Sequence, residues 1–383
     1  MSESASPLLL HIYPTFDLGG AQRRFVQLAN HFGPAFRHRI IALRGGKEAF
    51  ALLSPDLDAA MIDPGPQSQG AWANLRHYRR LLTEIRPDLL VTSNWGSIEW
   101  ALANLDGRIP HLHMEDGFGP EEADGQLPRR VWTRRLALRR SRIMLPSQTL
   151  LTLARERWKL PPRTLIHLPN GIDCQRFTPK DDGSLARSFG IALDRPVIGT
   201  VAALRREKNV GRLIESFALV PAEFNAQLVI VGDGPERQAL EQLAQERNVA
   251  ERVLFTGGCN QPEELLPHFT LFALTSDTEQ MPLSLLEAMA AGRPVVATKV
   301  GDVAAMVAVE NRPFLADLSP TDLAARARTS QMLADHMTNL LRDTALAQRI
   351  GAANQSRARC EFDQERMFTI YRRLFTPGQL FSA

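Results

Sequence analysis

Short apolar runs of four to six residues recur along the chain, and longer stretches between them carry apolar side chains every three or four positions. The first pattern marks a buried strand, the second an amphipathic helix, and their alternation is that of a parallel sheet with crossover helices. In the first half it predicts strands at Leu8–Tyr13, Arg39–Leu43, Ala59–Ile62, Leu89–Thr92, His111–Met114, Ile143–Pro146 and Thr164–Leu168. Helices are predicted at Ala21–Phe32, Ala71–Ile85 and Ser147–Trp158. The polar stretch Thr178-Pro-Lys-Asp-Asp-Gly183 then interrupts the pattern and reads as a linker. The alternation restarts with strands at Val197–Val201, Leu228–Val231, Val253–Phe255, Leu271–Leu274 and Val295–Thr298. Helices Val210–Leu219, Glu236–Arg247 and Pro282–Ala291 lie between them. The fold class expected is α/β, with two Rossmann-like domains at 1–177 and 178–358 and a C-terminal segment at 359–383. Their parallel sheets are expected to face each other across a cleft at the strands' carboxyl ends, where ligands bind in this architecture.

The length of 383 residues suits two domains, and 44% hydrophobic with 23% charged residues is an ordinary globular mixture. A net charge of +3 gives no reason to expect a nucleic-acid partner. Cys174, Cys259 and Cys360 are too few and too scattered for a disulfide framework or a zinc site. The N-terminus lacks a signal-peptide pattern, and no apolar run approaches the roughly 18 residues of a spanning helix. A cytoplasmic protein is expected, with any membrane contact peripheral.

The segment Thr275–Thr298 carries most of the chemistry. It reads strand, loop, helix, strand, with Pro282 in the first helical turn, where its missing N–H costs nothing. On either side of Pro282, the free backbone N–H groups of Met281, Leu283 and Ser284 can receive an anion. Glu279 precedes the helix and Glu287 lies inside it, so one carboxylate can reach a sugar hydroxyl and the other a ribose, with phosphate between them. The two glutamates and the flanking Glu-Ala-Met-Ala-Ala-Gly-Arg-Pro-Val-Val-Ala-Thr resemble the Glu-x7-Glu signature of retaining glycosyltransferases of the two-Rossmann GT-B fold, in the large fourth family of such enzymes. A solvated helix bearing two unrelated glutamates is the plainer reading of the bare spacing.

The resemblance extends to other loops. Gly199-Thr-Val-Ala-Ala-Leu-Arg-Arg-Glu-Lys-Asn209 resembles the family's Arg…Lys pair on the donor diphosphate, with Lys208 as the lysine. The family arginine often stands five residues before the lysine, where this chain has Ala203; Arg205 is the first replacement and Arg206 the second. Such cations neutralise a leaving diphosphate. Val231-Gly-Asp-Gly-Pro235 matches a family turn, placing Gly232 and Asp233 near the donor base or in a purely structural turn. Asn170-Gly-Ile-Asp173 matches an architectural segment. Gly19 and Gly20 follow the first strand as the family's paired glycines do, and the loop is not the Gly-x-Gly-x-x-Gly dinucleotide fingerprint. His111 and His113 share one strand face, and the resemblance implies that His113 stands beside the reacting sugar, with Glu115 or Asp116 orienting it or approaching the acceptor. The last helix, around 360–375, is expected to cross back to the first domain as the family's does.

Arg129–Arg142 contains seven arginines and no acid, interleaved with Val131, Trp132, Leu136 and Leu138. It reads as a basic amphipathic helix meeting an anionic inner-membrane surface, or as a solvated helix neutralised by Glu121, Glu122 and Asp124. Asp56-Leu-Asp58 has the Asp-x-Asp form used for manganese elsewhere, but it precedes a strand and is read as a surface loop. The resemblance thus implies a metal-independent retaining transferase using a UDP- or GDP-linked sugar and no further cofactor. Its acceptor hydroxyl would belong to a saccharide or lipid-linked molecule, in cell-surface polysaccharide, lipopolysaccharide or glycolipid synthesis. A nucleotide-sugar epimerase of similar fold and a non-catalytic nucleotide-sugar binding protein are the competing classes.

Overall fold

The computed structural model describes residues 6–65, 70–118, 122, 125–178, 182–318 and 323–380. The chain divides into two compact units, Met1–Asn170 with Glu365–Ala383 and Gly171–Gln364. In the first unit the strands are β1 (Leu8–Tyr13), β2 (Arg37–Ala42), β3 (Ala59–Met61), β4 (Leu89–Ser93), β5 (His111–Met114), β6 (Arg142–Leu145) and β7 (Leu165–His167). They form one parallel sheet in the order β3-β2-β1-β4-β5-β6-β7. The second unit holds β8 (Val197–Val201), β9 (Gln227–Val231), β10 (Val253–Gly257), β11 (Leu271–Leu274), β12 (Val295–Thr298) and β13 (Leu315–Ala316). These are also parallel, in the order β10-β9-β8-β11-β12-β13. Strand order therefore reverses once in each sheet, between β1 and β4 and between β8 and β11. In open α/β sheets such reversals mark where ligands bind.

Both faces of the second sheet are buried, so its strands read as continuous apolar runs. Val229, Val231, Phe272, Leu274, Val295 and Ala297 pack on one face with Leu285, Leu286 and Met289 of the helix Leu283–Ala290. The alternate residues Leu228, Ile230, Leu271, Ala273 and Val296 pack on the other with Leu333, Met337, Leu340 and Leu341 of the helix Leu323–Arg342. The helix Gln364–Phe375 buries Met367, Phe368, Tyr371, Leu374 and Phe375 against Leu9, Leu28 and Phe32 of the first unit.

The division into compact units falls at 170/171 and 364/365, beside the expected domain bounds of 177/178 and 358/359. Ile172, Cys174, Phe177 and Phe362 belong to the second unit's core, which draws these segments into it ahead of the polar stretch. Of that stretch, residues 179–181 lie outside the described residues. Among the described residues no helix is long and apolar enough to cross a membrane.

The first unit's core holds three histidines in neutral surroundings. His11 Nε2 lies 3.1 Å from His38 Nδ1, and His111 bonds Ser141 Oγ (2.7 Å) and Thr92 Oγ1 (2.8 Å). Burial pushes His38 down to about 4 and His111 to about 3, and it lowers His11, with His38 adding to the effect. An unfolded histidine titrates near about 6.5. Below that pH the unfolded chain binds more protons than the folded one, so stability is full above about 6.5 and declines toward 4 and 3 as pH falls. Each histidine removes about 1.4 kcal/mol per pH unit once pH is well below 6.5. Thermal melts from pH 7.5 to 5 should show a steadily falling midpoint for the first unit; a flat profile would show that these rings are not held neutral.

Candidate functional site

The second unit's chemistry gathers at its strand-order reversal. Lys208 stands in a single 3-10 turn, Arg206–Lys208, after β8, and Glu279 lies in the loop after β11. Lys208 Nζ donates to Glu279 Oε1 at 2.6 Å, and Ser276 Oγ donates to the same oxygen at 2.7 Å. Glu279 Oε2 has no partner among the described residues. A clamp holds the two loops in register. Asn209 Nδ2 reaches both Asp277 carboxylate oxygens at 3.1 Å, and Arg212 donates to Asp277 Oδ1 (2.7 Å) and to the Thr275 carbonyl (2.8 Å). Thr275 Oγ1 donates in turn to the Asn209 carbonyl at 3.0 Å. Asn209 sits in the left-handed region and caps the next helix by accepting from the Arg212 amide.

Two close backbone approaches fix these loops further. At Gly301, φ is +50° and a Cβ would fall 2.1 Å from the Glu279 carbonyl oxygen, while the Asp302 amide donates to the Gln280 carbonyl. At Gly232, φ is +138° and a Cβ would fall 1.9 Å from the Ala202 carbonyl oxygen. The Leu204 amide donates to the Asp233 carbonyl at 2.9 Å. The Gly232–Asp233 turn thus braces the segment leading to Lys208, a structural duty that favours the turn reading of this motif. The Asp233 carboxylate accepts from the Gly234 amide and faces Arg237 at 3.5 Å.

The helix begins at Leu283, with Pro282 as its N-cap instead of inside its first turn, because Pro282 keeps an extended backbone. No side chain caps this end, and its opening amides are available to an anion. Met281 and Pro282 are buried, and Leu283, Ser284 and Glu287 are half-buried. Arg205 and Arg206 are exposed and form no ion pair among the described residues. Lys208 and Glu279 are in contact, and Glu279 lies four residues before the helix Leu283–Ala290 that carries Glu287. Asn209, Arg212, Asp277 and Gly301 escaped the sequence reading. Their only sequence signals are a polar Asn at a helix start, an arginine in an apolar helix and an isolated glycine.

In the first unit Gly19 is the extended N-cap of the helix Gly20–Phe32, again without a side-chain cap. His113 is fully buried. Its Nδ1 meets Thr92 Oγ1 at 2.8 Å and its Nε2 lies 3.4 Å from Glu115 Oε2. Glu115, equally buried, receives Arg134 Nε at 3.3 Å, and Arg134 also binds both oxygens of Glu122 at 3.1 and 3.0 Å. Arg130 adds a bond to Glu122 at 3.1 Å. The Arg134 guanidinium lies over Trp95, Phe118 and Trp158. Asp116 turns elsewhere, to a two-pronged pair with Arg24, which also donates to Asn170 Oδ1 at 2.8 Å. Of the two acids, Glu115 is the one beside His113.

The basic segment is not one exposed helix. Its helix is Pro128–Ala137, and Arg142 begins β6. Arg130, Arg134 and Arg142 are buried, because acids and aromatic rings from neighbouring segments enclose the first two and Arg142 donates to the Arg163 carbonyl. Glu122 neutralises Arg130 and Arg134; Glu121 and Asp124 lie outside the described residues. The outer face keeps Arg129, Arg139 and Arg140 exposed with Trp132 (67%) and Leu136 (45%). Asp58 of the Asp-x-Asp sequence pairs with Arg39 at 2.8 Å.

Residues 182–357 match the family described as glycosyl transferases group 1, and residues 18–176 match glycosyltransferase family 4. The chain is 28% identical over 215 residues to the N-acetyl-alpha-D-glucosaminyl L-malate synthase of Bacillus anthracis, covering 56% of this chain and 54% of that protein. It is 31% identical over 208 residues to a GDP-mannose-dependent alpha-(1-6)-phosphatidylinositol monomannoside mannosyltransferase of Mycobacterium tuberculosis, covering 51% of each. The chain thus spans about half the length of these curated relatives. A crystal structure of Anabaena Alr3699/HepE in complex with UDP and glucose shares the fold with a TM-score of 0.80 at 22% identity, over 96% of this chain and 98% of that one. WaaG, a glycosyltransferase involved in lipopolysaccharide biosynthesis, gives 0.74 at 19% identity over 94% and 99%.

Proposed function

The chain belongs to the group 1 glycosyl transferases of GT-B fold, and on that premise we propose that it moves a sugar from a nucleotide-sugar to an acceptor hydroxyl with retention at the anomeric carbon. The observation carrying this reading is the Lys208–Glu279 pair at the second sheet's strand-order reversal, beside the uncapped head of the helix Leu283–Ala290. Glu279 Oε2 accepts a hydroxyl of the transferred sugar, Glu287 the ribose hydroxyls, and the helix amides with Lys208 and Arg205 or Arg206 bind the diphosphate. The bond from the anomeric carbon to the diphosphate oxygen breaks. The acceptor oxygen bonds to the same face of that carbon, and its proton passes to the departing diphosphate. The protein positions the partners and neutralises the developing charge, without a metal or a cofactor.

Binding and turnover with UDP-, GDP- and ADP-sugars test this. One nucleotide-sugar should raise the melting temperature and undergo slow hydrolysis in EDTA, and Glu287→Ala should weaken nucleotide affinity by calorimetry about tenfold, the equivalent of one lost hydrogen bond to a charged group. Binding without hydrolysis would instead identify a nucleotide-sugar sensor, and conversion of the free donor to its epimer an epimerase.

The similarity to a phosphatidylinositol mannoside transferase supports a glycolipid or surface-polysaccharide pathway and a peripheral position on the inner membrane face. We assign that contact to the helix Pro128–Ala137 and the turn after it, where Trp132 and Leu136 are exposed with Arg129, Arg139 and Arg140, and Arg135 is half-buried. Each arginine contributes about 1 kcal/mol near an anionic leaflet. Changing these four to glutamine should release the protein from anionic vesicles in a flotation assay, and undiminished binding would end the assignment.

A further inference from the structure

Four buried side chains of the first unit, Ser141, His111, Thr92 and His113, form one chain of hydrogen bonds that the transfer chemistry above does not use. Ser141 stands just before β6, His111 and His113 share one face of β5, and Thr92 lies opposite His113 on β4. Ser141 Oγ is 2.7 Å from His111 Nδ1, and Thr92 Oγ1 is 2.8 Å from both His111 Nε2 and His113 Nδ1. His113 Nε2 ends the chain 3.4 Å from Glu115 Oε2. None of the four is more than 4% exposed, so these groups must satisfy one another.

The hydrogens give this chain a direction. The Ser141 hydroxyl has one hydrogen, and among the described residues its acceptor is His111 Nδ1, which is therefore bare. Burial pushes His111 down to about 3, so the ring is neutral and carries its hydrogen on Nε2. That N–H donates to Thr92 Oγ1, which leaves the Thr92 hydrogen for its other partner, His113 Nδ1. His113 then carries its own hydrogen on Nε2 and aims it at Glu115 Oε2, a carboxylate oxygen that only accepts and that also receives Arg134 Nε at 3.3 Å. The reverse order would strand the Ser141 hydrogen and set a bare Nε2 against the carboxylate. We infer that Ser141, His111 and Thr92 form a one-way relay locking His113 in its Nε2–H tautomer, and that His113 is a positioning residue which holds the Glu115 carboxylate instead of meeting the sugar. Both ring nitrogens of His113 are occupied and the ring is fully buried. The relay positions the chain leaving β5, where the Glu115 amide donates to the Met144 carbonyl at 3.1 Å and the Asp116 amide to Asn94 Oδ1 at 2.7 Å. The part of His113 in transfer rests on the transferase reading; its tautomer does not.

Nitrogen NMR on the full chain with isotope-labelled histidine tests this, because protonated and bare ring nitrogens resonate far apart. His111→Gln and His113→Gln assign the two rings among the nine histidines. Both rings should carry hydrogen on Nε2 and none on Nδ1. Thr92→Ser keeps the hydroxyl and should keep the His113 signals and the parental turnover. Thr92→Val should displace the His113 Nδ1 signal and slow transfer about tenfold, the equivalent of one lost hydrogen bond, with UDP affinity unchanged. Should that variant fail to fold, Ser141→Ala tests the relay from its far end, and should displace the His113 Nδ1 signal although Ser141 bonds only His111. Adding a nucleotide-sugar should leave the His113 Nε2 signal where UDP leaves it. The inference is overturned by a hydrogen on Nδ1 of either ring, by a His113 signal blind to both Thr92→Val and Ser141→Ala, or by an Nε2 signal that moves with the nucleotide-sugar but not with UDP. Absence of all transfer, with both tautomers as stated, would sink the transferase reading and leave the relay standing.

Discussion

Arg134→Met should destabilise the first unit by about 3–5 kcal/mol, the usual result of removing one partner from a buried ion network. Arg134 is fully buried and is the cation shared by Glu115 and Glu122, both buried themselves. Burial alone pushes the Glu122 carboxyl up, and the pairs with Arg134 and Arg130 outweigh it and hold Glu122 below its ordinary range. Methionine fills similar space between Trp95, Phe118 and Trp158 but leaves Glu115 without its cation. For a unit of this size the loss is about 2–4 °C per kcal/mol, so the melting midpoint should fall by roughly 6–20 °C. Adding Glu115→Gln to Arg134→Met should restore part of the loss, because the stranded charge is gone. A midpoint within 2 °C of the parent would mean that this network carries no net stabilisation.

The same arginine shows where sequence reading stops. Seven arginines without an acid between them look like a charged surface, and periodicity cannot say otherwise. Arg134 is internal because Glu115 and Glu122, nineteen and twelve residues upstream, fold back over it with three aromatic rings. Strands with a run of apolar residues, such as His111–Met114, Leu271–Leu274 and Val295–Thr298, were legible to the residue. β13 was not, since two residues carry no period. The compact-unit division lies seven residues before the polar stretch because Ile172, Cys174 and Phe177 are buried in the second unit's core, which only the fold reveals. Glu279 and Glu287 were legible because their motif is local. The clamp through Asn209, Arg212 and Asp277 joins segments more than sixty residues apart and leaves no local trace.

Lys208→Ala should slow transfer at saturating donor about a hundredfold, corresponding to about 3 kcal/mol of lost stabilisation of the departing diphosphate. The structure adds a second consequence. Lys208 neutralises Glu279, whose side chain is only 8% exposed and whose other partner on Oε1 is the neutral hydroxyl of Ser276. Without the lysine, an arriving diphosphate meets an uncompensated carboxylate, so nucleotide-sugar affinity should fall together with turnover. Lys208→Arg keeps the charge but not the compact point donor, and should recover affinity more fully than rate. Glu279→Gln separates the two effects. It removes the local negative charge, so UDP should bind at least as tightly as to the parent, while loss of the anionic acceptor for the sugar hydroxyl lowers turnover. Calorimetry with UDP and single-turnover rates on all three variants distinguish these outcomes. If Lys208→Ala turns over near the parental rate, the cation on the diphosphate is not this lysine, and Glu279 would be left paired to it for stability alone.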